Sequence, residues 1–383
     1  MQFDFVPSPR SGSIGIEWEL ALVDSTSLEL TPAAQPILDS IEPGSTRVHR
    51  EYLQNMIELV TGVHSRVDEA LADLAESMAQ VRTVTDPLGV ALLGSGGHPF
   101  SRSADQQPFD FWRYNVVKER NAYWGRQMAI FGTHIHVGVD HRSKALPITY
   151  GLARFSPYFL ALSASSPFWE GEDSGFASQR TMLFQQLPTN GLPYPMDSWE
   201  EFQAYADELE LAGMISAPNE IRWDVRPSTF GTVENRVLDS VPTFAELGAL
   251  TALTQCLAEW MSRELDDGRL ISRLPVWFMK ENKWRAARFG LDTDVVTHRL
   301  HVRPTRPLTE GLFEWLEKLA PIARELGCED ELAFCEVLAT RGPSYARQRA
   351  VAAANGGDLR AVVRSLLAET GAARPTWAPK VGG

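Results

Sequence analysis

Cysteine is scarce in this 383-residue chain, which has only Cys256, Cys328 and Cys335. Three scattered cysteines are too few for a disulfide framework or a thiolate metal site. Cys328 and Cys335 are seven residues apart in a helical pattern, which favours small buried side chains. No segment reaches the ~18 uninterrupted apolar residues of a membrane span, and the first ten residues lack the basic and apolar regions of a signal peptide. We therefore expect a protein of the reducing cytoplasm, without a membrane partner.

Positive charge is also in deficit. The chain has 36 Lys and Arg against 49 Asp and Glu, a formal net charge of −13. This balance argues against nucleic acid or an anionic membrane surface as a partner. It does not exclude an anionic substrate, because a bound metal can invert the local charge. The hydrophobic content of 44% and the charged content of 22% are ordinary globular values.

Predicted strands cluster in the first 240 residues, and helices dominate from about residue 243, a pattern typical of the α+β class. Residues 57–63 (IELVTGV) could form a helix or a strand, and this choice stays open. The predicted strands are 13–24, 89–97, 133–139, 219–226 and 231–239. The predicted helices are 66–84, 109–130, 144–164 and 198–212. The last residues have no periodicity, and we expect them to hang loose or to dock as a strap.

The first strand, SIGIEWELALVD, carries two acids on one face. Its alternation predicts a half-buried strand with Glu17 and Glu19 on the same side. Their side chains would lie ~7 Å apart along the strand. Like charges this close oppose each other unless a positive charge lies between them, and a metal ion would supply it.

Three further strands show the same division into an apolar and a polar face. THIHVGV presents two histidines, IRWDVR presents two arginines flanking an aspartate, and VENRV presents a glutamate and an arginine. If the four strands share a sheet, its polar face holds Glu17, Glu19, His134, His136, Arg222, Arg226, Glu234 and Arg236. Each pattern alone is typical of a solvated edge or an ordinary surface pair. Together, Glu and His suit Mg²⁺ or Mn²⁺, and arginine suits phosphate, which favours nucleotide-driven phosphoryl transfer.

Other motifs rank lower. GSGGHPF follows a strand but lacks the Lys-Ser/Thr of a P-loop, so a turn containing His98 is expected. Glu51 and Glu58 would share a face on a helix, whereas a strand would place only Glu58 well. The basic tract around Lys283 and Arg285 is solvated charge by default and an anion-binding loop as the sharper alternative.

Several motifs occur in the order seen in one enzyme family. The chain resembles the type-2 glutamate–cysteine ligase, or carboxylate–amine ligase, family of the glutamine synthetase-like superfamily. The resemblance runs from about residue 13 to 350. The motifs are GIEWEL, ELVTGV, GTHIHVGV, WDVRPSTFGTVENRVLD, KENKWRAARFGLD and YARQR. It implies a curved, mainly antiparallel sheet, flanked by helices, that forms a funnel-shaped active site binding ATP and Mg²⁺ or Mn²⁺.

The resemblance also implies roles for single residues. It implies metal ligands at Glu17, Glu19, Glu58, His134 and Glu234, with Glu51 as a further ligand. It implies contacts with ATP or its phosphates at His136, Arg222, Arg226, Arg236 and Lys283. Arg236, Glu234 and Glu17 would be the catalytic residues, and Arg180 and Arg285 would hold the amino-acid substrate. Trp18 stands where many relatives have a third acid, but it should face away from the metals.

The expected reaction joins the γ-carboxyl of glutamate to cysteine through γ-glutamyl phosphate. Two alternatives within the superfamily stay open: another amine or carboxylate as substrate, and a guanidino kinase. A nucleotide- or metal-binding protein without catalysis is the non-enzymatic alternative. We expect one catalytic domain over residues 1–370, an irregular tail over 371–383, and room for a homodimer.

Overall fold

The computed structural model describes residues 2–41, 46–297 and 304–377. Its strands in chain order are β1 (Ile14–Asp24), β2 (Val48–Arg50), β3 (Met56–Val60), β4 (Val90–Leu93), β5 (Gly132–Gly138), β6 (Phe168–Trp169), β7 (Glu172–Asp173), β8 (Val225–Ser228), β9 (Thr232–Asp239), β10 (Asp294–Val296) and β11 (Thr305–Pro307). The open choice at residues 57–63 is thus settled, because Met56–Val60 is a strand.

Helices dominate the second half of the chain, as predicted. They are α1 (Ala34–Ser40), α2 (Val67–Thr85), α3 (Trp112–Gly125), α4 (Arg142–Arg154), α5 (Ser156–Ser163), α6 (Gln179–Phe184), α7 (Trp199–Leu211), α8 (Phe244–Asp266), α9 (Val276–Phe289), α10 (Leu308–Leu326), α11 (Glu329–Arg341), α12 (Ser344–Ala354) and α13 (Leu359–Glu369). None of the helices in the described part of the chain is long and apolar enough to cross a membrane.

One large antiparallel sheet organises the first 240 residues. Across the sheet the strand order is β2-β3-β1-β5-β9-β8, and β4 joins by pairing with β1. The four strands predicted to carry the polar side chains are therefore neighbours, and all their pairings are antiparallel. The α+β class with a mainly antiparallel sheet is confirmed.

The apolar face of β1 explains why this segment is a strand. The residues that point away from Glu17 and Glu19 are almost completely buried: Ile14, Ile16, Trp18 and Leu20. The indole of Trp18 donates a hydrogen bond of 3.0 Å to the carbonyl of Val241. This face packs against α2, and α8 covers the neighbouring β5. Burying four large apolar side chains stabilises the fold by about 1.5–3 kcal/mol each and fixes which face of the strand carries the acids.

Three predicted elements differ from the structure. The expected helix over 109–130 is shorter and spans Trp112–Gly125. The expected strand over 219–226 begins only at Val225, because the chain first makes a 3₁₀ turn at Pro218–Glu220. The expected helix over 144–164 is two helices that meet at Phe155, and Pro157 lies in the first turn of α5. Proline fits a first helical turn because it needs no backbone donor there.

The second half packs helix against helix. α8 lies against α10 and α11, and the three cysteines are buried and free, as expected. Ala372 and Ala373 accept backbone hydrogen bonds from Phe244 and Ala245. Trp377 donates to the carbonyl of Gly342 at 2.9 Å. Through residue 377 the C-terminal segment thus docks as a strap, and residues 378–383 lie outside the described part.

Candidate active site

The polar face of the sheet forms the floor of a cavity of about 610 Å³. Antiparallel register brings the predicted side chains side by side: Glu17 lies opposite His134, Glu19 opposite Glu58, and His136 opposite Glu234. Ten of the predicted site residues line this cavity: Glu17, Glu19, Glu51, Glu58, His134, His136, Arg222, Arg226, Glu234 and Arg236.

Glu17 lies at the centre of the hydrogen bonds on this floor. Its carboxylate oxygens lie 2.7 Å from Nδ1 of His134 and 3.1 Å from Nε2 of His136. Burial opposes ionisation of Glu17, but the charge of His136 and the hydrogen bonds from both imidazoles outweigh it and hold the pKa of Glu17 well below its usual range. Glu17 is therefore a carboxylate at neutral pH.

Two further acids have no comparable compensation. Burial raises the pKa of Glu58 well above its usual range, and the charges of Glu17, Glu51 and Glu19 raise it further. Burial, Glu19 and Glu17 likewise raise the pKa of Glu51 to about 8. Without a cation these two acids therefore favour the protonated form, because ionising them would add buried negative charge next to other carboxylates.

A divalent cation fits this donor set. Ligand atoms of Glu17, Glu58 and His134 all lie within 4.8 Å of one another, and those of Glu17, His136 and Glu234 form a second such group. Carboxylate and imidazole donors suit Mg²⁺ or Mn²⁺. Glu58 gives the first group the better fit, because burial and the neighbouring carboxylates oppose its ionisation and a cation would favour it.

The same cavity is also lined by three arginines. Arg226 donates from Nε to Glu234 at 2.7 Å, and Arg236 donates from Nη1 to the second oxygen of the same carboxylate. Burial opposes ionisation of Glu234, but the two guanidinium groups outweigh it and lower its pKa. Burial and the charge of Arg236 lower the pKa of Arg222 to about 10, so all three arginines are charged at neutral pH and are suited to bind phosphate.

Three predicted residues lie elsewhere. Arg180 is buried against the backbone of Gly132 and of Arg236, whose carbonyl it approaches at 3.4 Å. The Lys283 ammonium lies 2.7 Å from the carboxylate of Asp224, and both groups are buried. The structure does not bring these two side chains to the lining of the acidic cavity.

Arg285 is the third. It pairs with Glu281 on its own helix at 2.7 Å. It lines a separate, shallower cavity with Trp284 and Asp292. Within the basic tract, Lys283 thus forms a buried ion pair. Arg285 forms a pair nearer the surface, in agreement with the default interpretation of solvated charge.

Part of the cavity wall is aromatic, which the sequence patterns did not predict. Phe3, Phe111, Tyr114 and Phe230 contribute to the lining. Phe230 follows Arg226 in the turn before the VENRV strand, and it is 76% exposed. A large apolar residue in a turn next to a polar strand is the feature of the sequence that could have indicated this aromatic wall.

Comparison with known proteins agrees with this geometry. The model of glutamate-cysteine ligase family 2 matches residues 13–365. The chain belongs to glutamate–cysteine ligase family 2. It is therefore an enzyme of the ligase class, one that forms C–N bonds. A protein of Paenarthrobacter aurescens (strain TC1) named "Putative glutamate--cysteine ligase 2-2" is 46% identical over 378 residues, 96% of this chain and 98% of that protein. A protein of Mycobacterium sp. (strain KMS) named "Putative glutamate--cysteine ligase 2-1" is 46% identical over 370 residues, which cover 96% of this chain and 97% of that protein.

Solved structures show that the fold of this family 2 chain extends to distant ligases. A glutamate–cysteine ligase of Francisella tularensis in complex with AMP has a TM-score of 0.69 at 14% identity, covering 95% of this chain and 90% of that one. A bifunctional glutathione synthetase of Pasteurella multocida has a TM-score of 0.67 at 14% identity, covering 93% of this chain and 52% of that one.

Proposed function

We propose that this chain is an ATP-dependent glutamate–cysteine ligase that forms γ-glutamylcysteine. The observation that carries the proposal is that one cavity is lined both by acidic and imidazole side chains and by guanidinium groups, with Glu234 bonded to two of the arginines. An ATP-driven ligase needs both, because it must hold a metal–nucleotide complex and offset charge on a moving phosphoryl group. The names of its relatives specify glutamate and cysteine as their substrates.

The first step activates the carboxylate. A carboxylate is a poor electrophile and must first be activated. An oxygen of the γ-carboxylate of glutamate would attack the γ-phosphorus of ATP, and the bond from that phosphorus to the leaving ADP oxygen would break. The product of this step would be γ-glutamyl phosphate. The guanidinium of Arg236 would contact the transferred phosphoryl oxygens. Arg226 and Arg222 would hold the remaining phosphates. Removing one such contact costs about 10²–10³-fold in rate.

The second step forms the amide. The amine nitrogen of cysteine would attack the carbonyl carbon of the acyl phosphate, the bond from that carbon to the phosphate oxygen would break, and the leaving inorganic phosphate would accept the proton that the nitrogen loses. Glu17, Glu58 and His134 would hold a divalent cation, which supplies charge neutralisation for the nucleotide phosphates when bound. Glu19, Glu51 and Glu234 are proposed as additional ligands. Residues 1–370 are proposed to act as one catalytic domain, since one hydrophobic core cluster extends from Phe5 to Leu338.

The test is ADP release by the purified protein with Mg²⁺-ATP. Release that needs both glutamate and cysteine, with γ-glutamylcysteine as the product, is the expected result. Turnover with another amine instead of cysteine would keep the mechanism and contradict the acceptor. A phosphorylated guanidine product without an amide would identify a guanidino kinase. Absence of turnover with any pair of substrates would contradict the proposal.

A further inference from the structure

Phe230 is exposed at the rim of the cavity although it is one of the most apolar residues there. It lies in the tight turn between β8 and β9, where the N–H of Gly231 donates to the carbonyl of Ser228 at 3.1 Å. Its ring meets that of His136 edge to face, with centroids 6.2 Å apart, and 76% of the residue is exposed. Leaving a phenyl group in water costs hydrophobic free energy that packing would recover, so a ligand that covers it would bind more tightly.

The charge around Phe230 indicates which part of the cavity it serves. Along β8, Ser228 is two residues, ~7 Å, from Arg226, and Arg226 pairs with Glu234 on the neighbouring strand. Phe230 follows at the tip of this hairpin. It therefore lies one turn beyond Arg226 and away from Arg236, which lies farther along β9 and interacts with Glu17 and Glu19.

The second exposed aromatic residue of the lining, Phe111, belongs to a different segment of the chain. Phe111 is 44% exposed and has its ring 5.9 Å from that of Tyr114. Tyr114 in turn packs against Tyr52, which follows the acidic Glu51 in the chain. A nucleotide with its base at Phe230 would thus place its phosphates near Arg226. One with its base at Phe111 would place them near Glu51, whose ionisation burial and the charges of Glu19 and Glu17 already oppose.

We propose that Phe230 is the stacking platform for the purine base of the nucleotide. This rests on the proposed use of ATP and fixes the direction of the nucleotide in the cavity, with the base at the β8–β9 turn and the phosphates toward Arg226 and Glu234. A phenyl ring offers a π-face and no hydrogen-bonding group. It therefore contributes affinity for a planar base without reading the base's edge.

The test measures binding without turnover. The full chain, with Mg²⁺ present, is titrated with a non-hydrolysable β,γ-imido analogue of ATP and, separately, with inorganic tripolyphosphate, which has no base. Phe230→Ala is expected to raise the Kd of the analogue about tenfold and to leave the Kd of tripolyphosphate within about twofold. Phe230→Trp is expected to restore the affinity for the analogue. Trp277→Ala removes another aromatic residue, 69% exposed and outside the cavity lining, as the matched control.

Each outcome separates this inference from the function on which it rests. If wild type binds the analogue and Phe230→Ala binds it equally well, the stacking role is wrong and the ligase proposal stands. Loss of tripolyphosphate binding in Phe230→Ala, or weakening of the analogue by Phe111→Ala instead, also contradicts it. A wild-type protein that binds neither ligand would contradict the nucleotide-dependent function itself. Because Phe230 is exposed, its substitution should leave the melting temperature unchanged, and this verifies folding of the variant.

Discussion

Glu19 on β1 and Glu58 on β3 are directly opposite each other in the antiparallel pair and line the same cavity. Like charges at opposed positions in a sheet destabilise it. Burial and three neighbouring carboxylates keep the pKa of Glu58 well above its usual range. Without a cation Glu58 therefore favours the protonated form, and a bound cation would favour its ionisation.

Divalent cations should stabilise the protein through Glu17, which belongs to both candidate ligand groups. In 100-fold excess over its Kd, a ligand specific to the folded state contributes about 2.7 kcal/mol, so Mg²⁺ or Mn²⁺ should raise the melting temperature by roughly 3 °C. The increase should grow as the pH rises, because Glu58, whose pKa lies well above its usual range, must lose its proton to become a ligand. Differential scanning fluorimetry with and without chelator measures it.

Glu17→Gln should abolish most of this metal-dependent shift and lower turnover by ~10²–10³-fold while the chain still folds. Glu76→Gln is the matched control, since Glu76 is an exposed acid on α2. An equal metal-induced shift in Glu17→Gln and wild type would contradict the ligand assignment.

Period-two alternation predicted the residues on the polar face correctly where the strands are regular. Glu17, His134 and Glu234 face one cavity because β1, β5 and β9 are adjacent, and adjacency was an assumption that only the fold could test. The same reasoning failed at Asp224, because the chain turns at Pro218–Glu220 before β8 begins. Asp224 therefore points to a helix more than fifty residues later in the chain, a tertiary contact that alternation cannot predict.

That contact is the buried pair between Asp224 and Lys283, with Oδ2 and Nζ 2.7 Å apart and both side chains 5% exposed or less. Asp224→Asn or Lys283→Met alone should lower the free energy of unfolding by about 3–5 kcal/mol, because each leaves an unpaired buried charge. The double variant should lose less than the sum of the two. Urea denaturation of the four proteins measures the coupling, and additive losses would show that the pair does not couple.

His98 predicts a loss of stability in acid. The ring is buried, Nε2 lies 3.0 Å from the carbonyl of Leu28, and Nδ1 accepts a hydrogen bond of 2.9 Å from the N–H of Ser101. The neutral ring thus satisfies both neighbours, whereas a second ring proton would oppose the Ser101 donor. Burial lowers the pKa of His98 from 6.5 to about 4.

Because this pKa is depressed in the folded state, the unfolded state binds the proton first. The stabilisation is complete above pH 6.5 and is lost as the pH falls toward 4, by about 3 kcal/mol at 1.36 kcal/mol per pH unit. His98→Asn retains an acceptor near Nδ1 and removes the titration. The difference in stability between wild type and His98→Asn, measured by urea denaturation between pH 7 and pH 4, should therefore shrink as the pH falls. A difference independent of pH would contradict the assignment.

Gly132 connects the buried Arg180 to the cavity floor. Its N–H donates to the carboxylate of Glu19, and a Cβ added at this position would lie 2.2 Å from Nη2 and 2.8 Å from Cζ of Arg180. Arg180 is 3% exposed, so its guanidinium has no free volume into which to move. Gly132→Ala should therefore displace either Arg180 or the strand that positions Glu19.

We expect Gly132→Ala to lower the rate of ADP release at least about tenfold, since displacements of about 1 Å in a catalytic site have effects of this order or larger, and to reduce the Mg²⁺-induced rise in melting temperature. Gly62→Ala is the matched control, because a Cβ there would have its nearest neighbours at 3.6 Å, an ordinary contact. Wild-type turnover in Gly132→Ala would show that Arg180 can shift without disturbing Glu19. Arg180 would then be a structural residue and no longer a candidate for the substrate site.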